Sequence, residues 1–271
     1  MNIVQICPRI HTIFLHSDLK TSSWPLLEAI ANLPHPEELT LDGDTFGPSV
    51  QLVLKTFNIP TLKRLKISSY GLGRDTIDPA GPREEPEPWP EGQKELEFLN
   101  ELLPSDRHCM GSVETLELLN PCCQPRISEY ILRLPACLVN LSIRELTSYK
   151  AAELYTTHAI QNLLDINCHT LKRIELGDLG NGSGTIPQFS GFPCLEEVRS
   201  CRCNVMGSPP DMVLRKLFAP ALSCLILGFN TDDYFGGSPR DLVFEQMSKT
   251  LHEFCEGEVR WLGDFAKMKS S

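Results

Sequence analysis

The 271-residue sequence has no run of 18 apolar residues, so it predicts no transmembrane helix. Residues 1–7 lack a basic stretch followed by an apolar core, and we therefore expect no secretory signal peptide. Positive charge is also scarce, because 25 Lys and Arg stand against 35 Asp and Glu, a formal net charge of −10. That balance argues against a nucleic-acid surface. We expect neither a membrane nor a nucleic acid among the partners.

Motifs for catalysis and metal binding are missing as well. The cysteines Cys194, Cys201 and Cys203 do not form a Cys-x-x-Cys knuckle, and no histidine follows at ligand spacing. None of the seven histidines belongs to a recognised nucleophile motif, and the glycines of residues 177–182 are not followed by the Lys-Ser/Thr of a phosphate-binding loop. We therefore expect no catalytic residue, cofactor or metal, and no enzymatic activity.

The eleven cysteines are an odd number, which suits free thiols in a reducing compartment. We interpret them as structural. This composition favours a cytoplasmic or nuclear location.

The sequence does contain a recurring phrase, LxxLxL, in which apolar residues alternate with polar ones near its end. Its central apolar residues are separated by 24 to 27 residues, apart from one step of 51 and one of 33. Such a period is typical of leucine-rich repeats, in which each copy contributes one short strand. A ninth, degraded copy begins at residue 251. The central residues of the eight clearer copies are Ile13, Leu39, Leu65, Leu116, Leu141, Ile174, Val198 and Leu225.

Segments with helical spacing lie between these strands. They occur near residues 24–33, 48–57, 96–103, 127–134, 158–166, 212–218 and 242–247. Strand and helix in alternation predict an α/β solenoid: a curved parallel sheet with helices on its convex side, in about eight to nine irregular repeats. Because the repeats run nearly end to end, residues 1–271 are predicted to form a single domain.

Two features interrupt the regular pattern. Residues 74–93, within the 51-residue step, are rich in Pro and Glu and predict a disordered loop, although the step could instead hide one lost repeat. The ninth place of LxxLxLxxN, usually Asn or Cys, is filled by Asp44, Cys203 and Asn230 in three repeats only. The asparagine ladder is therefore predicted to be incomplete.

The residues between the apolar positions of each phrase are predicted to point outward from the sheet. Their charges place Glu37 and Glu38 beside Lys63 and Arg64, and similarly oppose Lys172 and Arg173 to Glu196 and Glu197. These pairs either support the sheet or form part of a partner-binding surface, and the two interpretations are compatible. The candidate protein-binding residues, on the concave face, are Asn140, Ser142, Arg173, Glu175, Glu197 and Arg199.

Residues 7–15 (CPRIHTIFL), 61–67 (TLKRLKI) and 170–176 (TLKRIEL) resemble the irregular leucine-rich repeats of fungal F-box proteins. In that family an F-box docks a ubiquitin-ligase adaptor and the repeats select the substrate. An F-box starts with a Leu-Pro-x-Glu helix ahead of the repeats. In this sequence a repeat begins by Ile10, and residues 33–37 (LPHPE) lead directly into a strand. No F-box is recognisable.

The sequence therefore favours an intracellular protein–protein interaction module. The resemblance implies substrate recognition for an F-box-type ubiquitin ligase, with the adaptor as a partner only if an F-box lies upstream. Two alternatives remain open: an enzyme-regulating repeat protein similar to a GTPase activator, and a truncated fragment without a specific role.

Overall fold

A computed structural model describes residues 10–16, 24–42, 50–68, 109–119, 125–144, 155–177, 187–201, 204, 216–217 and 219–228. Within these residues the chain forms eight short strands and four helices. The strands are β1 (Thr12–His16), β2 (Glu38–Asp42), β3 (Arg64–Ser68), β4 (Thr115–Leu119), β5 (Asn140–Arg144), β6 (Arg173–Leu176), β7 (Glu197–Cys201) and β8 (Cys224–Gly228). The protein is thus of the α/β class.

The eight strands form one sheet in which every neighbouring pair is parallel and the spatial order follows the sequence order from β1 to β8. The central residues of the eight repeated phrases are directly opposite one another across all seven pairings, beginning with Ile13 against Leu39 and ending with Val198 against Leu225. The predicted alignment of the repeats is confirmed.

In each strand every second side chain points to the same face of the sheet, and on one face these side chains are apolar. Leu39, Leu65 and Leu116 have 0%, 1% and 0% of their surface exposed, and Leu141 has 2%. They belong to one continuous apolar cluster that also includes residues of the helices. No single strand could bury this area alone, so adjacent repeats stabilise one another.

The helices are α1 (Trp24–Ala31), α2 (Val50–Thr56), α3 (Pro125–Arg133) and α4 (Thr157–Asp165). All four fall where the helical spacing predicts them. In α4 the Thr156 hydroxyl accepts a hydrogen bond from the Ala159 amide at 3.2 Å, which caps the first turn. None of the helices in the described part of the chain is long and apolar enough to cross a membrane.

Helices α3 and α4 are joined by buried polar contacts as well as by apolar packing. The Ser128 and Tyr155 hydroxyls lie 2.6 Å apart, and both residues are fully buried. The Asn167 amide donates to the Leu132 carbonyl at 2.8 Å, just after α4. These contacts hold the two helices and the residues next to them together.

The 51-residue step does not place an extra strand in the sheet. Strands β3 and β4 are direct hydrogen-bonded neighbours, with Leu65 opposite Leu116. No strand therefore lies between β3 and β4, and the alternative of a lost repeat in this step stays a prediction. The predicted loop 74–93, the predicted helices near 96–103 and 242–247, and the degraded copy at 251 lie outside the described residues, as do Asp44, Cys203 and Asn230.

Asn204 makes the kind of contact that the asparagine ladder predicts, one place later than the repeat alignment indicates. Its side chain is 6% exposed, and Nδ2 donates to the Gly177 carbonyl at 2.7 Å and lies 3.3 Å from the Ser200 hydroxyl. A carbonyl at the end of β6 is thereby satisfied where the chain leaves the sheet.

Candidate protein-binding face

The face of the sheet opposite the apolar cluster carries mainly polar side chains. We call it the open sheet face and define it by three outward positions in each repeat: the residue before the strand, the first strand residue and the third. From β1 to β8 these positions are occupied by His11, Thr12, Phe14; Glu37, Glu38, Thr40; Lys63, Arg64, Lys66; Glu114, Thr115, Glu117; Val139, Asn140, Ser142; Lys172, Arg173, Glu175; Glu196, Glu197, Arg199; and Ser223, Cys224, Ile226.

Backbone hydrogen bonds hold these outward positions in register. The carbonyl of the residue before each strand accepts two amides from the next repeat, as Val139 does from Lys172 at 2.8 Å and from Arg173 at 3.2 Å. The same double contact recurs from His11 to Glu196. Side chains at equivalent positions therefore lie about 4.8 Å apart on neighbouring strands.

Several charged side chains on this face form cross-strand ion pairs. Arg64 Nη2 lies 3.1 Å from Glu38, and Arg173 Nε lies 3.6 Å from Glu197, as the sequence predicts. Lys172 Nζ lies 3.0 Å from Glu196, also as predicted. Lys63 differs from the prediction: its amino group contacts Glu114 of the following repeat at 2.7 Å instead of a carboxylate on the preceding side.

Arg144, the last residue of β5, was not among the predicted site residues. Its Nη2 lies 3.0 Å from Glu117, and its Nη1 lies 3.8 Å from Glu175, so it bridges β4 and β6 across its own strand. Lys66 contacts the same Glu117 at 3.9 Å. The signal was present in the sequence, because the alternation that points Ser142 outward also points Arg144 outward, one place beyond the repeated phrase.

At β6 and β7 two arginines share one carboxylate. Glu197 contacts Arg173 on the neighbouring strand and Arg199 on its own strand, where Arg199 Nε donates a short hydrogen bond. That hydrogen bond, together with the negative charge of Glu197, raises the pKa of the Arg199 guanidinium. We call these three residues the Arg173–Glu197–Arg199 triad.

The predicted centre of the site is less accessible than the sequence indicates. Ser142 is only 7% exposed and donates to Glu175 at 3.4 Å. Its register neighbours are Glu117 and Glu175, whose longer side chains are both contacted by Arg144. Asn140 is half-buried and donates to the Thr115 hydroxyl at 2.9 Å.

The structure therefore brings all six predicted site residues onto one face of β5, β6 and β7, in direct register. Arg173 and Arg199 are its exposed members, with 65% and 55% of their side chains accessible, and Glu175 is 40% exposed. Ser142 and the Glu197 side chain are much less accessible, at 7% and 16%.

Two apolar side chains are exposed at opposite ends of the same row. Phe14 on β1 is 62% exposed, with its ring stacked 6.2 Å from that of His16, and Ile226 on β8 is 40% exposed. Ile226 is the direct neighbour of Arg199. The charged part of the open sheet face thus adjoins an apolar side chain on the β8 side.

In the described part of the chain, no group of three or more His, Cys, Asp or Glu residues is placed to hold a metal ion. Cys194, from the trio considered above, is a free thiol, and Cys203 lies outside the described residues. The open sheet face in this part of the chain is built mainly of charged and hydrogen-bonding groups.

No protein-family model matches the chain, and no curated protein is similar to it in sequence.

Proposed function

We propose that this chain is an intracellular protein–protein interaction module that binds its partner on the open sheet face. The supporting observation is that β5 to β7 present exposed charged groups on one surface while their apolar residues are buried in the core. Such a division lets the surface serve binding without carrying the stability of the fold. The free cysteines among the described residues, including Cys137 and Cys194, are compatible with a reducing compartment.

We further propose that the repeats form a leucine-rich-repeat solenoid whose open sheet face is concave. The ordered parallel sheet and the period near 26 residues support this assignment. The resemblance to fungal F-box proteins extends the proposal to substrate recognition for a ubiquitin ligase, with an adaptor as second partner if an F-box precedes the repeats. In this proposal the chain has no catalytic role and needs no cofactor.

Charge reversal tests the binding proposal. Arg173→Glu together with Arg199→Glu should weaken partner capture in affinity purification followed by quantitative mass spectrometry, because opposed charges across an interface set orientation and association rate. Lys63→Glu together with Arg64→Glu is the matched control: the two residues lie on the same face and pair with Glu114 and Glu38, but they are three strands away from β6. The control should capture the partner as the unaltered chain does.

A circular-dichroism melt accompanies the capture assay, since loss of the Arg173–Glu197 contact loosens the sheet slightly. If the folded double variant captured the same proteins at the same level, the open sheet face between β5 and β7 would not be the binding site. The acidic segment 74–93 and the helical side would then be the surfaces to test.

A further inference from the structure

The Arg173–Glu197–Arg199 triad has two positive charges and one negative charge, so one positive charge is not neutralised within it. The Glu197 side chain is 16% exposed, whereas Arg173 and Arg199 are 65% and 55% exposed. The carboxylate is thus much less accessible than the two guanidinium groups that it contacts. Together the two guanidinium groups have about ten N–H donors, against about four acceptor sites on one carboxylate. Donor capacity and positive charge both remain available to a ligand.

Elsewhere on this side of the described sheet each Lys and Arg side chain is matched by a carboxylate, and Glu37 contacts the His11 ring at 3.8 Å. One balanced network joins two cations to two carboxylates through Arg144, and separate pairs match one cation to one carboxylate. These contacts are Lys66–Glu117, Arg144–Glu117 and Arg144–Glu175 in the network, and Lys63–Glu114, Arg64–Glu38 and Lys172–Glu196 as pairs. The surplus at the triad is therefore local, on a chain whose net charge is −10.

The neighbours of the triad leave this surplus largely uncancelled. Asn140 is the register partner of Arg173 on the β5 side, and Ile226 is that of Arg199 on the β8 side. Glu175, the other neighbour of Arg199, is engaged by Arg144 at 3.8 Å and by Ser142 at 3.4 Å. An incoming anion would meet two guanidinium groups with uncharged Asn140 and Ile226 on their outer sides and with the Glu175 carboxylate, itself engaged by Arg144, beside Arg199.

From this arrangement, and resting on the proposed function, we propose that the triad binds an oxyanion-bearing side chain of a partner protein, with an apolar residue of the same segment contacting Ile226. Arginine binds carboxylate and phosphate groups through paired N–H donors, and such charge-assisted bonds are among the strongest in proteins. Glu197 acts as a positioning residue that keeps the two guanidinium groups together. A glutamate and a phosphoserine present the same chemistry, and the experiment separates them.

Fluorescence anisotropy with labelled, end-blocked peptides of alternating Glu and Leu tests the proposal at low ionic strength. A second peptide carries phosphoserine in place of Glu, and a third carries Lys. We expect both acidic peptides to bind and the Lys peptide to bind at least about tenfold more weakly. The tighter of the two acidic peptides identifies the oxyanion that the triad prefers. No detectable binding of either acidic peptide, or tighter binding of the Lys peptide, would overturn the proposal.

The variants locate the binding to the triad. Arg173→Gln with Arg199→Gln should weaken binding of the acidic peptide by about tenfold or more, since charge-assisted hydrogen bonds are lost. Lys63→Gln with Arg64→Gln removes the same two charges and should change the affinity by less than about twofold, because each of these exposed cations is matched by its own carboxylate. Equal losses in the two variants would show a diffuse charge effect and contradict a specific site.

Glu197→Gln tests the positioning role, because positioning and net charge predict different effects of this substitution on the affinity for the acidic peptide. The substitution adds one net positive charge, so simple electrostatics predicts tighter binding of the acidic peptide. If Glu197 positions the arginines, the affinity does not rise, and the Nε–Hε NMR signals of Arg173 and Arg199 move toward those of unrestrained arginine. A rise in affinity with unchanged signals would overturn the positioning role.

The peptide assay needs no natural partner, so it separates this inference from the proposed function. If acidic peptides fail to bind while charge reversal still abolishes partner capture, the face binds protein by another chemistry. If the charge reversal leaves partner capture unchanged but the peptides bind as expected, the triad is an oxyanion site and the main interface lies elsewhere.

Discussion

The hydroxyl of Thr170 donates a hydrogen bond to the backbone carbonyl of Leu138 at 2.7 Å. Thr170 stands just before the first apolar residue of its repeat, and Leu138 is the first apolar residue of the repeat before. The relationship recurs from Thr61 to Pro36 at 2.9 Å and from Ser112 to Leu62 at 2.8 Å. Hydroxyl groups therefore tie the starts of successive repeats together.

Removal of one such hydroxyl should destabilise the sheet measurably. Thr170→Val keeps the shape but leaves the Leu138 carbonyl without this donor, and we expect a loss of about 1 kcal/mol in the free energy of unfolding. Chemical denaturation with circular dichroism measures it. Thr170→Ser, which retains the hydroxyl, is the control, and a loss as large in Thr170→Ser would show that methyl packing matters instead.

A cavity at the centre of the sheet should cost considerably more. Leu141 is 2% exposed on β5, and Leu141→Ala is expected to lower the free energy of unfolding by about 2–5 kcal/mol. Leu26→Ala on α1 is the matched control. The Leu26 side chain is 40% exposed, so this substitution should lower the free energy of unfolding much less. Similar losses at both positions would place Leu141 outside the core.

Two glycines give a paired test of the close approach between β5 and β6. A Cβ on Gly177 would lie 3.0 Å from the Arg144 Cα, whereas a Cβ on Gly191 would have no atom within 4 Å. We expect Gly177→Ala to destabilise the protein by about 1–3 kcal/mol, because backbone atoms must shift. Thermal unfolding compares the two, and Gly191→Ala should match or slightly exceed the parent in stability. The reverse order would be incompatible with this packing.

Thiol reactivity should differ among the cysteines. Burial, reinforced by the nearby Asp165 charge, raises the pKa of Cys168, so a smaller fraction of this thiol is ionised at neutral pH. Cys137 and Cys194 are exposed. Timed alkylation with iodoacetamide and peptide mass spectrometry should show Cys168 modified more slowly than either. Faster modification of Cys168 would mean that it is not shielded in solution.

The sequence predicted the sheet well because side-chain period and repeat spacing together determine which residues point inward. Leu39, Leu65 and Leu116 could be assigned to the core from position alone, and their register followed from the common phrase. The same logic placed Arg173 beside Glu197. The alternation of apolar and polar residues in each repeat thus determines the face of the sheet on which a residue lies.

Pattern cannot decide how deeply an outward residue is covered, because that depends on the length and pairing of its neighbours. Ser142 lies between Glu117 and Glu175 and is 7% exposed, and the Glu197 side chain, in contact with two arginines, is 16% exposed. Arg144 was missed since it falls one place beyond the repeated phrase. Asn204, which contacts Gly177, was missed because it lies one residue after the position at which the repeat alignment places the ladder residue.

Site-specific photocrosslinking tests most directly whether the open sheet face is the binding surface. A benzophenone side chain is placed at Ile226 on β8 or at Leu26 on α1, two apolar residues that are each 40% exposed but lie on opposite layers of the fold. The account predicts that a partner protein is crosslinked from Ile226 and not from Leu26. Crosslinking from Leu26 alone would place the interface on the helical side and contradict it.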